Sequence, residues 1–258
     1  MSALGDDAPL IRPLYDAIGV GYADVRRPDP RIEARLHASL GDASPVLNVG
    51  AGTGSYEPQD RAVVAVEPSP TMIRQRPPGS AVALRSVAEN LPFGDGAFAG
   101  AMALLTIHHW PDPITGLQEL RRVTRGPVVV LTFDHAVHAQ QWLVTDYLPA
   151  MLELDADVPP ADEVADALGG GTVEVLPVPH DCTDGFCHAW WRRPEAYLDP
   201  GVRAGISGIA RLPESVVDAA MVRLAADLES GAWLHAHRDL LAEDAIDGGY
   251  RLVVSDPR

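Results

Sequence analysis

The sequence predicts an α/β fold: a doubly wound, mostly parallel sheet of seven strands with an antiparallel last strand and a helical cap insertion. In the first half of the chain, short apolar runs alternate with helical or turn segments, and Gly, Pro, Asp or Ser bounds most of the runs. Because these runs lack a polar face, they are typical of strands covered by helices on both sides. The five runs span residues 46–49, 62–66, 81–84, 97–105 and 127–133.

Helical segments are expected between these strands, at about residues 30–40, 69–74 and 114–123. The last of them has clear boundaries, because Asp112-Pro113 is a favourable helix start and Gly126-Pro127 is a favourable stop. This alternation of strand and helix predicts parallel strands joined by helices.

The pattern changes in the second half of the chain. Residues 135–168 have helical periodicity with no visible strand, and a Gly169-Gly170-Gly171 break then precedes a sixth strand at 172–178. Residues 182–247 are again mostly helical, and residues 250–254 form the last strand. We therefore predict that the last two strands form a hairpin interrupted by helices.

This pattern also predicts the domain organisation. Residues 1–134, 172–180 and 248–258 should form a ligand-binding sheet domain, and residues 135–171 and 181–247 should form helical cap segments that bind the substrate.

The composition restricts the partners. The chain has 258 residues and a formal net charge of -16, and its 20 basic residues are all arginine with no long basic tract. A nucleic-acid partner needs a concentrated basic surface, so we expect none. The N-terminus is acidic where a secretory signal would be basic, and no apolar run is long enough to span a membrane. We expect a cytoplasmic protein without a membrane partner, with a homodimer as one option.

A glycine-rich turn follows the first strand. The segment Val46-Leu47-Asn48-Val49-Gly50-Ala51-Gly52-Thr53-Gly54 leads to a second strand that ends at Glu67. Glycines let the backbone approach a ligand closely, and a carboxylate at a strand end can accept hydrogen bonds from a ribose diol. The pair indicates an adenosine ligand. Gly-x-Gly-x-Gly, with Ser55 next, is not the Gly-x-Gly-x-x-Gly spacing of dinucleotide sites.

Three further segments extend this pattern: AENLPFGDGAF at 88–98, LLTIHHW at 104–110 and LQELRRV at 117–123. With the glycine turn, they make the chain from about residue 15 to 133 resemble the class I S-adenosylmethionine-dependent methyltransferases. The similarity is greatest to the small-molecule branch (methyltransferase type 11) that includes the ubiquinone/menaquinone-biosynthesis type. The resemblance implies a Rossmann-like fold and S-adenosylmethionine as the methyl donor.

The resemblance also implies which residues bind the donor. Tyr22 and Arg26 stand in the family's N-terminal lid, where an arginine fork can pair with the methionine carboxylate; Arg27 is an equally available neighbour. Two positions depart from the family pattern. Asn48 replaces an aspartate of the first strand, which predicts weaker binding of the donor, and Val87 replaces an aspartate that receives the adenine amino group in many relatives. The full predicted set is Tyr22, Arg26, Asn48, Gly50, Ala51, Gly52, Thr53, Gly54, Glu67, Pro68, Met72, Ala88, Glu89 and Leu105.

Methyl transfer is an in-line displacement in which positioning of the acceptor dominates, and it needs a base only when the acceptor must first lose a proton. His108 and His109 follow the fourth strand, on the ligand-binding edge of a doubly wound sheet, and are the candidate catalytic bases. Alternatively, one of them caps the loop and the other packs beside Trp110.

Candidate acceptor-binding residues follow the sixth strand. His180, Asp181 and Asp184 form a polar cluster, and Trp190 and Trp191 could line an apolar pocket; the alternatives are an ordinary loop and a helical core. Cys182 and Cys187 with His180 and His188 have the residue types of a zinc site but an unusual spacing. We predict ordinary cysteines and no metal.

These observations predict an S-adenosylmethionine-dependent methyltransferase that acts on a small-molecule acceptor in a biosynthetic pathway. Two alternatives stay open. One is a tRNA or protein methyltransferase, which a basic groove would support. The other is a protein of the same fold that binds S-adenosylmethionine without transferring its methyl group.

Overall fold

The computed structural model describes Tyr15 and residues 26–256, and within them a seven-stranded sheet has the order β3-β2-β1-β4-β5-β9-β6. Strands β1 to β5 pair in parallel, and β9 pairs antiparallel with both β5 and β6. This confirms the predicted fold class. The strands of this sheet are β1 (Val46–Val49), β2 (Val63–Val66), β3 (Val82–Leu84), β4 (Gly100–Leu104), β5 (Val128–Phe133), β6 (Thr172–Val175) and β9 (Tyr250–Ser255).

Helices cover both faces of the sheet. The α-helices are α1 (Pro30–Leu40), α2 (Pro70–Arg74), α3 (Pro113–Arg122), α4 (His135–His138), α5 (Ala161–Ala167), α6 (Pro200–Ala204), α7 (Ser207–Ala210), α8 (Glu214–Ser230) and α9 (Ala232–Ala236). Short 3-10 helices span Ile107–His109, Pro149–Glu153, Pro194–Leu198 and Arg238–Ala242, and Leu143–Tyr147 is a π-helical turn.

The first-half helices begin where the sequence places N-caps. Asp112 accepts a hydrogen bond from the backbone of Thr115 at the start of α3, and Ser69 accepts one from Met72 at the start of α2. In each helix a proline follows the cap, where its missing N–H costs nothing. These caps fix where the chain leaves the carboxyl edge of the sheet.

Strand β1 lies between β2 and β4, so the connections after β1 and β4 diverge to opposite sides. In a doubly wound sheet, this reversal opens a crevice at the carboxyl ends of the strands. Strand β1 is buried along its whole length, because apolar side chains of the two helical layers cover both of its faces. The crevice is thus built on the most rigid part of the fold.

The sixth predicted strand is shorter than the sequence suggested. Strand β6 ends at Val175, and the chain then forms β7 (Val178–Pro179), which pairs with β8 (Ala245–Ile246) in a separate two-stranded sheet. Pro177 lies at the break, where it cannot donate a ladder hydrogen bond. The pairing of the last two strands of the main sheet is antiparallel, as predicted.

Trp190 and Trp191, which the sequence predicts as acceptor-binding residues, pack among apolar side chains of the fold. The Trp191 ring is buried against the sheet and its indole N–H donates to the carbonyl oxygen of Val178. Trp190 packs between the same layer and the helical cap, and the Arg193 guanidinium lies 4.3 Å above its ring. Both rings therefore join the cap to the sheet, which is the alternative that the sequence left open.

Within the described ranges, the structure has no helix that combines the length and the apolar character needed to cross a membrane.

Candidate functional site

A cavity of about 970 Å³, part of it open to solvent, lies at the carboxyl ends of β1, β2 and β4. Most of the predicted donor-binding residues line it: Arg26, Asn48, Gly50, Ala51, Gly52, Thr53, Glu67, Pro68, Met72, Ala88, Glu89 and Leu105. Gly54 is not in its described wall, and Tyr22 lies outside the described residues. We refer to this space as the first cavity.

The turn after β1 brings bare backbone to the cavity. Gly50 and Gly52 have φ angles of 67° and 53°, in the left-handed region that favours glycine. A Cβ atom on Gly50 would lie 2.0 Å from the hydroxyl oxygen of Thr106, so any larger residue would push the turn off β4. The turn therefore has one position, set by its contact with Thr106.

The Glu67 carboxylate fixes the same turn from the second strand. One oxygen accepts a hydrogen bond from the backbone N–H of Gly52 at 2.8 Å, and the other accepts one from the N–H of Ser69 at 2.8 Å. The side chain is buried and lines the cavity. Since each carboxylate oxygen can accept more than one hydrogen bond, these two bonds are compatible with a ligand diol on the cavity side.

Asn48 belongs to a buried polar network behind the turn. Its amide nitrogen donates to Glu57 at 2.9 Å, and Glu57 forms a 2.6 Å ion pair with Arg76. Arg76 also donates to the carbonyl oxygen of Gly52, and Gly54 packs against both charged groups. Asn48 is thus a partner of Glu57 as well as part of the cavity wall, and Gly54 shapes the turn from its far side.

The wall opposite the turn is largely apolar. Met72, Ala88 and Leu105 contribute side chains to it, and Trp110 adds an aromatic ring. Leu105 has a φ angle of 50°, which is unusual for a residue other than glycine and marks strain where β4 ends. A flat apolar slot beside a carboxylate and a glycine turn fits an adenosine group, so the residues present suit S-adenosylmethionine.

Arg26 lies at the far end of the first cavity and forms a two-point ion pair with Asp184. Its Nε and Nη2 atoms lie 2.7 and 3.2 Å from the two carboxylate oxygens. Asp184 also accepts hydrogen bonds from the Tyr56 hydroxyl and the backbone of Gly185. This carboxylate is buried and engaged by the protein in support of Arg26, and its contact with the acceptor stays a prediction.

A second cavity, of about 550 Å³ including its open part, shares Tyr15, Arg26 and Leu105 with the first. Apolar side chains from the sheet edge and the cap form much of its wall, and polar groups are spaced among them. The residues unique to it are His108, Phe133, His138, Met151, Asp155, Phe186, Cys187, Gly205, Ile206, Ser207, Gly208 and Tyr250.

The two candidate catalytic histidines face different cavities. His109 lines the first cavity, and its Nε2 atom lies 3.1 Å from the Tyr15 hydroxyl. His108 lines the second, and its Nδ1 atom is buried without a hydrogen-bond partner among the described residues. Burial lowers the pKa of His108 to about 3 and that of His109 well below its usual value, so both are neutral at neutral pH.

Asp155 is the carboxylate of the second cavity, and Arg211 pairs with it at 2.6 Å. His138 also lines this cavity, and burial lowers its pKa to about 4. The charged groups around the second cavity are therefore paired, and its histidines are uncharged.

The remaining predicted acceptor residues lie away from both cavities. His180 Nδ1 is 3.2 Å from the carbonyl oxygen of Asp244, beside the small β7-β8 sheet, and the exposed Asp181 pairs with Arg31. The chain turns away from the sheet crevice after β7, so the described cavity walls contain neither residue. Their role in acceptor binding stays a prediction, which these positions do not support.

Sequence reasoning missed most of the second cavity. Its residues come from β5, α4, the segment around Asp155, the loop after β7 and α7, so no local motif marks them. Glu57 and Arg76 were missed as well, although a buried ion pair near a ligand turn could have been suspected from the acidic residue that follows the glycines.

The buried ion pair gives a testable prediction. Replacing Arg76 by Met leaves Glu57 as an unpaired buried charge, which should lower the free energy of unfolding by about 3 kcal/mol. Denaturant unfolding followed by circular dichroism measures the change. Arg74→Met, on the exposed side of the same segment, is the matched control. Adding Glu57→Gln to Arg76→Met should recover part of the loss; no recovery would contradict the charge-based explanation.

A second prediction concerns Glu67. Glu67→Ala removes a charged acceptor and should weaken S-adenosylmethionine binding by about 2 kcal/mol, a roughly thirtyfold rise in Kd. Calorimetric titration measures it, with the exposed Glu163→Ala as control. An unchanged Kd in a folded Glu67→Ala protein would refute the assigned contact with the ribose.

Comparison with known proteins agrees with this geometry. A family model described as a methyltransferase domain matches residues 47–131, which span β1 to β5. The chain is 32% identical over 158 residues to the ubiquinone/menaquinone biosynthesis C-methyltransferase UbiE of Geobacter sp. (strain M21), covering 52% of this chain and 67% of the relative.

Solved structures extend the similarity beyond this region. A crystal structure from Anabaena variabilis, described as a methyltransferase from an antibiotic biosynthesis pathway, is 34% identical, with a TM-score of 0.84 over 90% of this chain and 98% of that one. A methyltransferase from Thermotoga maritima shares the fold alone, at 16% identity and a TM-score of 0.52 over 95% of this chain and 98% of that one. The matched region contains the glycine turn, Glu67 and the wall that follows β4, and the chain therefore belongs to the class I S-adenosylmethionine-dependent methyltransferases.

Proposed function

We propose that the protein transfers the methyl group of S-adenosylmethionine to a small molecule bound in the second cavity. The observation that carries this proposal is the junction of the two cavities at Tyr15, Arg26 and Leu105. An acceptor in one cavity and a donor in the other would meet at these residues. In the proposed organisation, the cap segments 135–171 and 181–247 complete the acceptor chamber on the sheet domain.

The size of the second cavity supports a small acceptor. The space of about 550 Å³ between its walls includes open solvent, so the enclosed part is smaller and has room only for a small molecule. Cap residues such as Met151 and Ile206 form part of its wall, and a tRNA or protein acceptor would need an open, extended surface in their place. A net charge of -16 also opposes binding of a polyanion.

The lining supports an acceptor that is mostly apolar and carries a hydrogen-bonding group. Phe133, Phe186 and Ile206 contribute apolar surface, and His108 contributes a buried ring nitrogen that can hydrogen-bond a ligand. The relatives named for C-methyl transfer in quinone biosynthesis and for antibiotic biosynthesis act in small-molecule pathways, in agreement with this class.

The proposed roles follow from these positions. When bound, S-adenosylmethionine supplies an electrophilic methyl group. Glu67 and the turn at Gly50 to Gly52 hold the nucleoside end, and Arg26, kept in place by Asp184, holds the carboxylate at the methionine end. The cap closes the chamber against water. The protein lowers the activation barrier of methyl transfer mainly by holding the acceptor in line with the bond between sulfur and the methyl group.

His108 is proposed to orient the acceptor by a hydrogen bond. Its pKa of about 3 makes it a weak base, because a general base works best with a pKa near the operating pH. It is instead a neutral group that can accept or donate one hydrogen bond. His109, which pairs with Tyr15 in the first cavity, is proposed to shape the donor site.

A cytoplasmic location, a homodimer and the absence of a nucleic-acid partner stay predictions from the sequence, as does the pathway.

Incubation with methyl-labelled donor tests the proposal. The label should move to the small-molecule fraction of a cell extract and leave the tRNA and protein fractions unlabelled. Ser207→Phe, which adds a ring to the wall of the second cavity, should abolish methyl transfer and leave donor affinity unchanged. The exposed control Ser230→Phe should leave both transfer and donor affinity unchanged. Label in tRNA or protein, or donor binding with no transfer to any fraction, would overturn the proposal.

The two histidines give a paired prediction. His108→Ala should lower kcat about tenfold or more with little change in donor Kd, because it removes an orienting contact of the acceptor. His109→Ala should mainly raise donor Kd, because this ring belongs to the first cavity. Steady-state kinetics and calorimetry separate the two effects. Equal loss of kcat and of donor affinity in both variants would indicate packing roles instead.

A further inference from the structure

Three side chains with metal-ligating atoms meet at the wall of the second cavity, apart from the residues assigned to methyl transfer. His138, Cys187 and His188 each offer one ligand atom, and these atoms lie within 4.8 Å of one another. We propose that they form a binding site for a zinc-type divalent transition metal ion. The proposal does not depend on which acceptor the protein methylates.

The donor set has the chemistry of such a site. Two imidazoles and one thiolate match the borderline-soft preference of Zn²⁺, which is held by nitrogen and sulfur at about 2.0–2.3 Å. The two imidazoles are already in contact, since His138 Nδ1 lies 2.7 Å from His188 Nε2. Hard cations such as Mg²⁺ and Ca²⁺ prefer oxygen ligands, and this cluster contains none.

The three residues are held by separate parts of the fold. His138 is the last residue of α4, which starts directly after β5 with Asp134 as its cap. The Tyr197 hydroxyl donates to the carbonyl oxygen of Cys187 at 2.7 Å, and the backbone N–H of His188 donates to the Tyr250 hydroxyl at 3.3 Å. Both tyrosine rings are buried. Supported ligands of this kind bind a metal with little rearrangement.

The site has three protein ligands and faces a cavity. His138 and Cys187 line the second cavity, so a fourth ligand can come only from that side, as water or as a donor atom of the molecule bound there. Three protein ligands with one open position are the arrangement of zinc sites that do chemistry, whereas structural zinc sites have four.

The sequence motif contained two of the three ligands of this site. In the motif His180-x-Cys182-x4-Cys187-His188, the fold separates the first pair from the second: Cys182 is buried in the core between sheet and cap, and His180 lies beside Asp244. His138, 49 residues before Cys187, supplies the third ligand instead. The proposal therefore replaces the prediction of no metal.

Cobalt titration tests the proposal. Untagged full-length protein, first stripped with a chelator, is titrated with Co²⁺, and its absorption spectrum is recorded. The expected result is a one-to-one complex with visible d–d bands and a near-ultraviolet thiolate-to-cobalt charge-transfer band, both removed by one equivalent of Zn²⁺. Absence of the charge-transfer band would overturn the proposal without any variant, and the two imidazoles would then be only a hydrogen-bonded pair.

Variants identify the ligands. Cys187→Ala should remove the charge-transfer band, and His188→Gln should weaken Co²⁺ binding by more than about tenfold, the lower end of what loss of a supporting residue costs. Cys182→Ala and His180→Gln are the matched controls from the other half of the motif and should retain spectrum and affinity. A band that survives Cys187→Ala or disappears in Cys182→Ala would contradict the assignment. Donor binding by each variant shows that it is folded.

Discussion

The hydrogen bond from the backbone of Gly52 to the Glu67 carboxylate is the contact on which the donor side of the structure depends. It joins the turn after β1 to the end of β2, and the same carboxylate holds the N–H of Ser69, the cap of α2. On the other side of the turn, Gly50 lies against Thr106 after β4. One buried acid thus holds two adjacent connections directly, and the glycine turn links them to the third, so the shape of the first cavity is fixed before any ligand arrives.

The junction of the two cavities depends on a second buried charge. Asp184, in the loop after β7, pairs with Arg26 and also accepts a hydrogen bond from Tyr56, which follows the glycine turn. The ion pair therefore joins the loop after β7 to the segment before α1 at the point where the two cavities meet. Removing Arg26 would leave the buried Asp184 carboxylate without this counter-charge, so the pair holds the junction of the two cavities in one place.

The sequence was sufficient for the fold and for the donor cavity because both follow from local signals. Glycine spacing, the acidic end of β2 and the caps at Ser69 and Asp112 each act within a few residues, and a known family has the same order of segments. The acceptor cavity is different, because its residues meet only after the chain has folded. His180 and Asp181 follow a strand that leaves the main sheet, so their place after that strand in the sequence gave the wrong position in space.

The distribution of charge around the second cavity restricts what it can hold. Asp155 is paired with Arg211 and Asp184 with Arg26, and burial keeps His108 and His138 neutral. With Arg26 assigned to the donor carboxylate, a charged acceptor would leave water without gaining an opposite charge that the protein has not already neutralised, which costs several kcal/mol. An uncharged acceptor buries apolar surface on binding. The one hydrogen bond that it gives up to water can be replaced by a polar group of the cavity wall. In the proposed function, the second cavity therefore selects against charged acceptors as well as large ones.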